Sequence, residues 1–483
     1  MKKFIIFAVM FTSAVLCLAQ AVDQTKAMQR ASRYFNEHVR PAGLRSTADA
    51  EPAAVTPWMA GDTTCMYAVQ MDGGGWVLVS ADERTTASVL AYSENGTFDT
   101  NDMPDGMKWL LGDYADQILR VKRDTAIVTS VATPGLRSNQ PSNPGTGSAI
   151  YTPGEWLLNL KGEGEILWNQ SYYINQEKNF KEEGDSCSRA YNYFCPTFGL
   201  RNTKIGCNCS KAPAGCGPVA MGQIMRYWKW PNWAVVTEQD NARIKFYEWD
   251  FMPVQVDMNT SVEDAQRVSS LLRDLGIVAK TEYGPEDSGT PLDDLQRTLL
   301  WYSYHVKREK VSNDVSGTIR NEICEGRPVI FVGWTNDDGH YFVIDGYGNE
   351  AGQMDFFHIN WGWGPRNNPK TDRTYCLLNK LCPYIEITPE ETFSRGQEIF
   401  YQIYPECQQQ GAHSTISGEV STSTPVSASN KIEADCIVNS GELFLQSNEV
   451  ELKSGFEVKP GASLYVTTPA YQYCQTKGPG RTK

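Results

Sequence analysis

The chain contains 483 residues, of which 41% are hydrophobic and 21% charged, with 44 basic against 57 acidic side chains and a net charge of −13. This length predicts about three domains, with enough apolar residues for real cores. The acidic balance argues against nucleic acid as a partner, because phosphate backbones are held by clustered Lys and Arg, and the composition excludes a polytopic membrane protein, a disordered chain and a collagen-like repeat.

The chain begins with the features of a secretory signal peptide. A short basic start at residues 1–3 precedes an apolar run over 4–18 and an A-x-A cleavage site at 19–21. The run is shorter than the roughly 20 apolar residues that a membrane-spanning helix needs. Residues 1–21 therefore predict export, with a mature protein that begins near Val22 and has no integral membrane segment.

Residues 22–131 have the pattern of a first α+β domain. Apolar residues recur at helical spacing within 22–46 and again within 104–121, which predicts a helix at each place. Between them, two strand-like runs flank the turn Asp72-Gly73-Gly74-Gly75, which indicates a β-hairpin.

Two polar segments divide the rest of the chain. Residues 132–154 are rich in Pro, Gly, Ser and Asn, which predicts an exposed linker that proteases cut easily. Residues 155–405 mix helical and strand-like patterns and are rich in aromatic residues. A second linker is predicted at 406–430, and the alternating, glycine-punctuated stretch 431–483 predicts a small all-β module.

Thirteen cysteines are present, and in an exported protein most of them should pair or lie buried. Four crowd one segment: Cys187, Cys195, Cys207 and Cys209. Their spacing does not match a two-residue zinc knuckle, and no histidine lies nearby. Disulfides or buried thiols are therefore predicted there rather than a metal site.

One cysteine stands where a helix is predicted to begin. The segment from Gly215 to Trp228 is predicted as a helix that opens at Cys216 and stops before Pro231, with Pro218 in the first turn, where its missing N–H costs nothing. A thiol at a helix N-terminus faces the positive end of the dipole, which favours the nucleophilic thiolate. The alternative is a buried structural cysteine or half of a disulfide.

A nucleophilic thiolate needs a base, and histidine is scarce. The chain has five: His38, His305, His340, His358 and His413. His340 begins a predicted strand directly after a polar turn, so its imidazole can point into a cleft, whereas His358 lies mid-strand among large aromatics, which favours a structural role. The amide of Asn360 could accept the other imidazole N–H and fix the tautomer.

The order Cys216, His340, Asn360 is that of papain-like enzymes. Residues 155–405 resemble the streptopain family of secreted bacterial cysteine peptidases, which have a papain-like fold. The matching pieces are Trp168-Asn169-Gln170, GCGPVAMGQIMRYW with Pro231 behind it, GHYFVIDGYG and FHINWGWG. Residues 66–118 also resemble the inhibitory prodomain of that family, and the final module is similar to β-rich C-terminal extensions of exported proteins in the Bacteroides group.

The resemblance implies an α+β fold, with a papain-like catalytic domain preceded by an α+β prodomain and followed by the all-β module. It makes Cys216 the nucleophile, His340 the general base and acid, and Gln170 the oxyanion-hole donor beside the backbone N–H of Cys216. A neutral amide suits a developing oxyanion. Whether Asn360 or the neighbouring Trp361 orients His340 stays open.

The leading hypothesis is a secreted cysteine endopeptidase made as a zymogen, whose prodomain blocks the cleft or misplaces His340 until the 132–154 linker is cut. It implies protein or peptide substrates, the chain's own prodomain as an intramolecular inhibitor, and no cofactor. One alternative uses the same thiolate–imidazole pair for another acyl transfer, as in a peptidoglycan amidase or a transglutaminase-like enzyme. The other is a non-catalytic surface-binding or inhibitory protein.

Overall fold

The computed structural model describes a discontinuous set of residues: 21–39, 48–85, 87–100, 103–123, 156–171, 187–198, 211–239, 241–257, 259–311, 315–334, 339–348, 356–363, 374–378, 397–405, 413–421, 424–428 and 430–467. Residues 1–20 of the predicted signal peptide and the whole predicted linker 132–154 lie outside the described residues. Among the residues described, none of the helices combines the length and the apolarity needed to cross a bilayer.

The N-terminal part contains two helices and four strands: α1 (Gln24–Tyr34, continued by a π-helical turn Phe35–Val39), β1 (Pro52–Ala60), β2 (Thr63–Met71), β3 (Trp76–Ser80), β4 (Val89–Ser93) and α2 (Asp105–Arg123). Helix α1 begins after Asp23, whose carboxylate accepts a hydrogen bond from the N–H of Lys26. The predicted hairpin is confirmed, since β2 and β3 pair antiparallel around three glycines with positive φ. Helix α2 matches the second predicted helix.

The central part carries the remaining helices and most of the strands: β5 (Asn159–Leu160), β6 (Gly164–Glu165), α3 (Cys216–Trp228), β7 (Trp233–Glu238), β8 (Asn241–Phe246), α4 (Val262–Val278), β9 (Glu282–Tyr283), β10 (Ser288–Gly289), α5 (Leu292–Trp301), β11 (Tyr304–Lys310), α6 (Ser316–Cys324), β12 (Val329–Trp334), β13 (Gly339–Gly348), β14 (Phe356–Asn360), β15 (Thr374–Leu377) and β16 (Glu398–Pro405). A short 3₁₀ helix spans Trp249–Phe251. Helix α3 packs against β13 and α4.

One antiparallel sheet runs through both parts, in the order β1-β2-β3-β4-β15-β14-β13-β12-β16-β11. The two parts meet where β4 pairs with β15, with Tyr92 opposite Tyr375 and their rings stacked at 5.0 Å. The hydroxyl of Tyr114 on α2 donates to the carbonyl of Leu377 beside this junction. The apolar core is therefore continuous across the N-terminal and central parts.

The C-terminal part is all-β, as predicted: β17 (His413–Val420), β18 (Thr424–Ser427), β19 (Lys431–Val438), β20 (Glu442–Gln446), β21 (Glu449–Leu452), β22 (Glu457–Val458) and β23 (Ser463–Thr467). Its strands pair in parallel, so that successive turns of chain stack and enclose a small apolar core of their own. Strands β17 and β18 lie inside the segment 406–430 that the sequence predicted as a linker. The alternation of β19 to β23 and the α+β arrangement of the rest confirm the predicted fold class.

Asp113 on α2 is a buried carboxylic acid, and its burial raises its pKa to about 6. Gln117 donates a hydrogen bond to its Oδ2 at 2.8 Å, which offsets part of this effect. A raised folded-state pKa leaves the free energy of unfolding unchanged while the carboxyl group is protonated in both the folded and the unfolded state. The free energy of unfolding falls as pH rises from the unfolded-state pKa, and the loss is complete above the folded-state pKa.

We therefore expect Asp113→Asn to be more stable than the parent by about 1–3 kcal/mol at pH 7.5 and equally stable near pH 4, because the amide cannot ionise. Urea unfolding followed by tryptophan fluorescence measures this, in chains that also carry Cys216→Ala to prevent any cleavage. The same substitution at the exposed Asp72 is the control. An equal difference at both pH values would contradict the assignment.

Candidate active site

Helix α3 begins at Cys216, as the sequence predicts. Gly215 precedes it with φ +94°, where a Cβ would lie 3.1 Å from the carbonyl oxygen of Ser288. Glycine is therefore the residue that fits this approach to the helix. Gly215 has no side chain to cap the helix start, and among the described residues no side chain accepts a capping hydrogen bond there. Cys216 is a free, buried thiol at the end of the helix that favours negative charge.

The first turn of α3 packs closely against the loop after β10. A Cβ on Gly217 would lie 2.8 Å from the Thr290 side chain, which hydrogen-bonds the Thr281 hydroxyl at 2.8 Å. The Tyr341 hydroxyl donates to the Thr290 carbonyl at 2.9 Å. Burial and, after it, the neighbouring Cys216 raise the pKa of Tyr341. The N-terminal end of β13 therefore lies beside the thiol.

Gln170 is tied to the approach to Cys216 through its backbone. Its carbonyl accepts a hydrogen bond of 2.7 Å from the N–H of Ala214, two residues before the thiol. The preceding Trp168 is fully buried and donates from its indole to the Pro253 carbonyl at 2.9 Å. The Gln170 side chain is half-buried, and its amide makes no hydrogen bond to any other residue that the structure describes.

His340 is the second residue of β13 and pairs with Gly333 on β12. It is buried, and its Nε2 lies 3.2 Å from the backbone carbonyl oxygen of Trp361. A carbonyl oxygen only accepts, so this hydrogen bond requires the proton on Nε2 and leaves Nδ1 as the basic nitrogen. The imidazole is thus oriented by the main chain of Trp361.

Asn360, the other residue considered for orienting His340, has its amide engaged elsewhere. Its Oδ1 accepts from Nε2 of Gln223 at 3.0 Å and from the N–H of Gly362 at 3.1 Å. Its Nδ2 donates to the Ile166 carbonyl at 2.7 Å. Asn360 therefore holds the turn that carries Trp361, and the structure brings its amide to the backbone around the site rather than to the imidazole.

The other central histidines lie in different surroundings. His358 on β14 is fully buried, with Nδ1 2.7 Å from Oδ1 of Asp345 and its ring stacked on Trp156 at 4.4 Å. His305 on β11 stacks on Tyr404 at 4.8 Å. These contacts are those of residues that stabilise the sheet.

The clustered cysteines include both of the predicted states, a disulfide and a buried thiol. Cys187 is disulfide-bonded. Cys195 is a free thiol whose pKa is raised to about 12 by burial, so it stays protonated and unreactive at neutral pH. Cys207 and Cys209 lie outside the described residues.

The start of helix α2 lies directly against the site; the sequence predicted a prodomain that blocks the cleft or misplaces His340, but not that this helix makes the contact. A Cβ on Gly106 would lie 2.5 Å from Cδ2 of His340 and 2.9 Å from Cε3 of Trp361. One turn later, the Trp109 indole covers Gly333, where a Cβ would lie 2.5 Å from the ring. The N-terminal part therefore covers His340. Its sequence signal is an amphipathic helix with a glycine in its first turn, which does not reveal what the helix touches.

Comparison with known proteins identifies both parts. Residues 186–368 match the Peptidase C10 family and residues 19–118 the Spi protease inhibitor family. The thiol protease/hemagglutinin PrtT of Porphyromonas gingivalis is 27% identical over 383 residues, which are 73% of this chain but only 39% of PrtT. Streptopain of Streptococcus pyogenes is 26% identical over 351 residues, 67% of this chain and 77% of streptopain.

Among solved structures, a fragment of prointerpain A from Prevotella intermedia is 22% identical with a TM-score of 0.48, covering 73% of this chain and 99% of the fragment. The peptidase and inhibitor matches fall on the central and N-terminal parts, in the order that the motifs predicted. The predicted resemblance is therefore confirmed: the chain is similar to streptopain-like cysteine peptidases of the Peptidase C10 family over residues 186–368, and it carries an inhibitor prodomain match over residues 19–118.

Proposed function

We propose that this chain is a cysteine endopeptidase made as an inactive precursor, with Cys216 as nucleophile, His340 as general base and acid, and Gln170 as oxyanion donor. One arrangement carries the proposal. The free thiol of Cys216 begins helix α3. The backbone carbonyl of Gln170 is hydrogen-bonded to Ala214, two residues before that thiol, and the side-chain amide of Gln170 makes no hydrogen bond to the other described residues. The inhibitor helix α2 lies against His340.

The chemistry follows from these positions. Nδ1 of His340 takes the proton of the Cys216 thiol, and the thiolate attacks the scissile carbonyl. The Gln170 amide and the backbone N–H of Cys216 donate to the oxyanion that forms. His340 returns the proton to the leaving amine, which yields an acyl-enzyme, and then activates the water that hydrolyses it. The Trp361 carbonyl favours the imidazolium at each stage because it accepts from Nε2–H.

Latency follows from the contacts of α2. Gly106 and Trp109 cover the strand ends at His340 and Gly333, so a substrate has no access to that side of the site. We propose residues 22–131 as the inhibitory prodomain, 155–405 as the catalytic domain and 431–483 as the core of the C-terminal module. Cleavage within 132–154 would then break the covalent link between inhibitor and enzyme, and the predicted signal peptide would direct the protein out of the cell.

The first test is the intact mass of residues 22–483 over time under reducing conditions, which keep the thiol able to attack. We expect the wild type to lose the segment before the 132–154 linker and then to cleave casein, while Cys216→Ala and His340→Ala stay whole. A chain that stays whole is then trimmed with a trace of trypsin. If the trimmed wild type does not cleave casein, the endopeptidase proposal is wrong, and an amidase or a binding protein is favoured.

Gln170→Ala should lower kcat by about 10²–10³-fold and change KM by less than about threefold, because the amide acts on the oxyanion more than on the bound substrate. Steady-state kinetics on a short peptide substrate measure the split. Gln70→Ala, in the prodomain, is a control that leaves the processed enzyme identical to wild type. A rise in KM at constant kcat would instead make Gln170 a substrate-binding residue.

Gly106→Ala should shorten the half-time of self-processing several-fold, since the added methyl group collides with His340 and Trp361 and α2 cannot seat. The matched control is Gly112→Ala on the same helix, where an added Cβ meets nothing within 4 Å. Both substitutions raise helix propensity by about 1 kcal/mol, so any difference between them reports the collision. Gel time courses of the two precursors decide, and equal rates would contradict the proposed latency contact.

A further inference from the structure

Gln223 lies on helix α3 seven residues after Cys216, about two helical turns along the same face. It is fully buried. Its Nε2 donates two hydrogen bonds, one of 3.1 Å to the Trp168 carbonyl and one of 3.0 Å to Oδ1 of Asn360. Both acceptors belong to segments outside the helix, so this one amide joins three separate pieces of chain.

Each of those segments carries a residue of the proposed reaction. Trp168 stands two residues before Gln170, the oxyanion donor. Asn360 directly precedes Trp361, whose carbonyl contacts His340 at 3.2 Å. Asn360 extends the link, because its Nδ2 donates to the Ile166 carbonyl at 2.7 Å. The nucleophile helix, the oxyanion segment and the histidine-orienting turn are thus held together by two amides.

The turn itself has little freedom to relax if this link is lost. Gly362 adopts a positive φ of +69°, and its N–H donates to Oδ1 of Asn360. A Cβ on Gly362 would lie 3.1 Å from Cγ1 of Val219 on α3. The Trp361 carbonyl therefore depends on Asn360 for its direction, and Asn360 depends on Gln223.

The side-chain oxygen of Gln223 shows that packing alone does not explain why a glutamine stands at this position. Its Oε1 is buried without a hydrogen-bond partner among the described residues. A buried unpartnered acceptor costs free energy. A methionine would fill the same space without that cost, so the useful part of the side chain is its NH₂ group.

We propose that Gln223 is a positioning residue for the cysteine peptidase reaction. With Asn360 it sets the places of Gln170 and of the Trp361 carbonyl relative to Cys216. This inference rests on the proposed function. It predicts a large defect in steps that need the oxyanion donor and proton return to the leaving amine, and a much smaller one in reactions that need only the thiolate.

The test compares acylation with alkylation in Gln223→Met and wild type, both as full chains processed by a tagged wild-type enzyme that is then removed. We expect kcat on a peptide substrate to fall about 10–100-fold, with KM changed by less than about threefold. The rate of alkylation of Cys216 by iodoacetamide should fall by no more than about threefold, because alkylation needs the thiolate that His340 supports but forms no oxyanion and has no leaving amine to protonate. Gln223→Glu, which keeps the length and shape of the side chain, is a second variant in case Gln223→Met does not fold.

Thr298→Val is the control for the loss of a buried polar group, since among the described residues this hydroxyl hydrogen-bonds within α5, to the Asp294 carbonyl at 2.7 Å. It should leave both rates unchanged. An unchanged kcat in Gln223→Met, or a parallel fall of kcat, alkylation and Tm, would overturn the positioning role alone. A processed wild type that alkylates normally but cleaves no peptide would overturn the proposed function and this inference with it.

Discussion

The complete burial of helix α3 is the constraint on which the rest of the structure depends. Every residue from Cys216 to Trp228 is buried, so the helix is enclosed by other elements on all its sides. The N-terminal N–H groups of such a helix carry the positive end of its dipole, and the thiol of Cys216 stands at that end. Gly215 and Gly217 allow the neighbouring backbone and Thr290 to approach within van der Waals contact, which fixes the thiol against β13.

The inhibitor part uses the same sheet as the enzyme part. Strand β4 pairs with β15, and the residues at that junction, such as Tyr375 and Cys376, are buried. The first turn of α2 then reaches His340 from a helix that the shared sheet already holds. Two separate contacts, one along a strand edge and one at His340, therefore hold the inhibitor part in place. Cutting a linker leaves both intact, so release requires these noncovalent contacts to open as well.

Local features were predictable from the sequence, and long-range contacts were not. The hairpin at Gly73–Gly75, helix α2 and the helix start at Cys216 each have a signal within a few residues, and each was found where predicted. The pairing of β4 with β15 has none, because the two strands lie nearly 300 residues apart. The Ser/Thr-rich segment 406–430 reads as a linker because its strands are polar, yet β17 finds a parallel partner in β19 whose ladder satisfies its backbone. The contacts of Gly106 and Gln223 could not be predicted, because the role of a glycine or of a side-chain amide depends on which residues it contacts in the folded protein.

The site shows why the role of Asn360 could not be read from its place in the sequence. The sequence left both Asn360 and Trp361 open for orienting His340, and the group that meets Nε2 of His340 is the backbone carbonyl of Trp361. A backbone carbonyl fixes the tautomer as well as an amide oxygen does, because either accepts the same N–H. A side chain that hydrogen-bonds the imidazole directly must itself be held in one rotamer, whereas the direction of a main-chain oxygen is set by the conformation of the turn. The turn at Trp361 is held by Asn360, which is held by Gln223 and the Ile166 carbonyl. The direction of the imidazole is therefore a property of the core packing around α3, and His340 is tied to the same buried helix that carries Cys216.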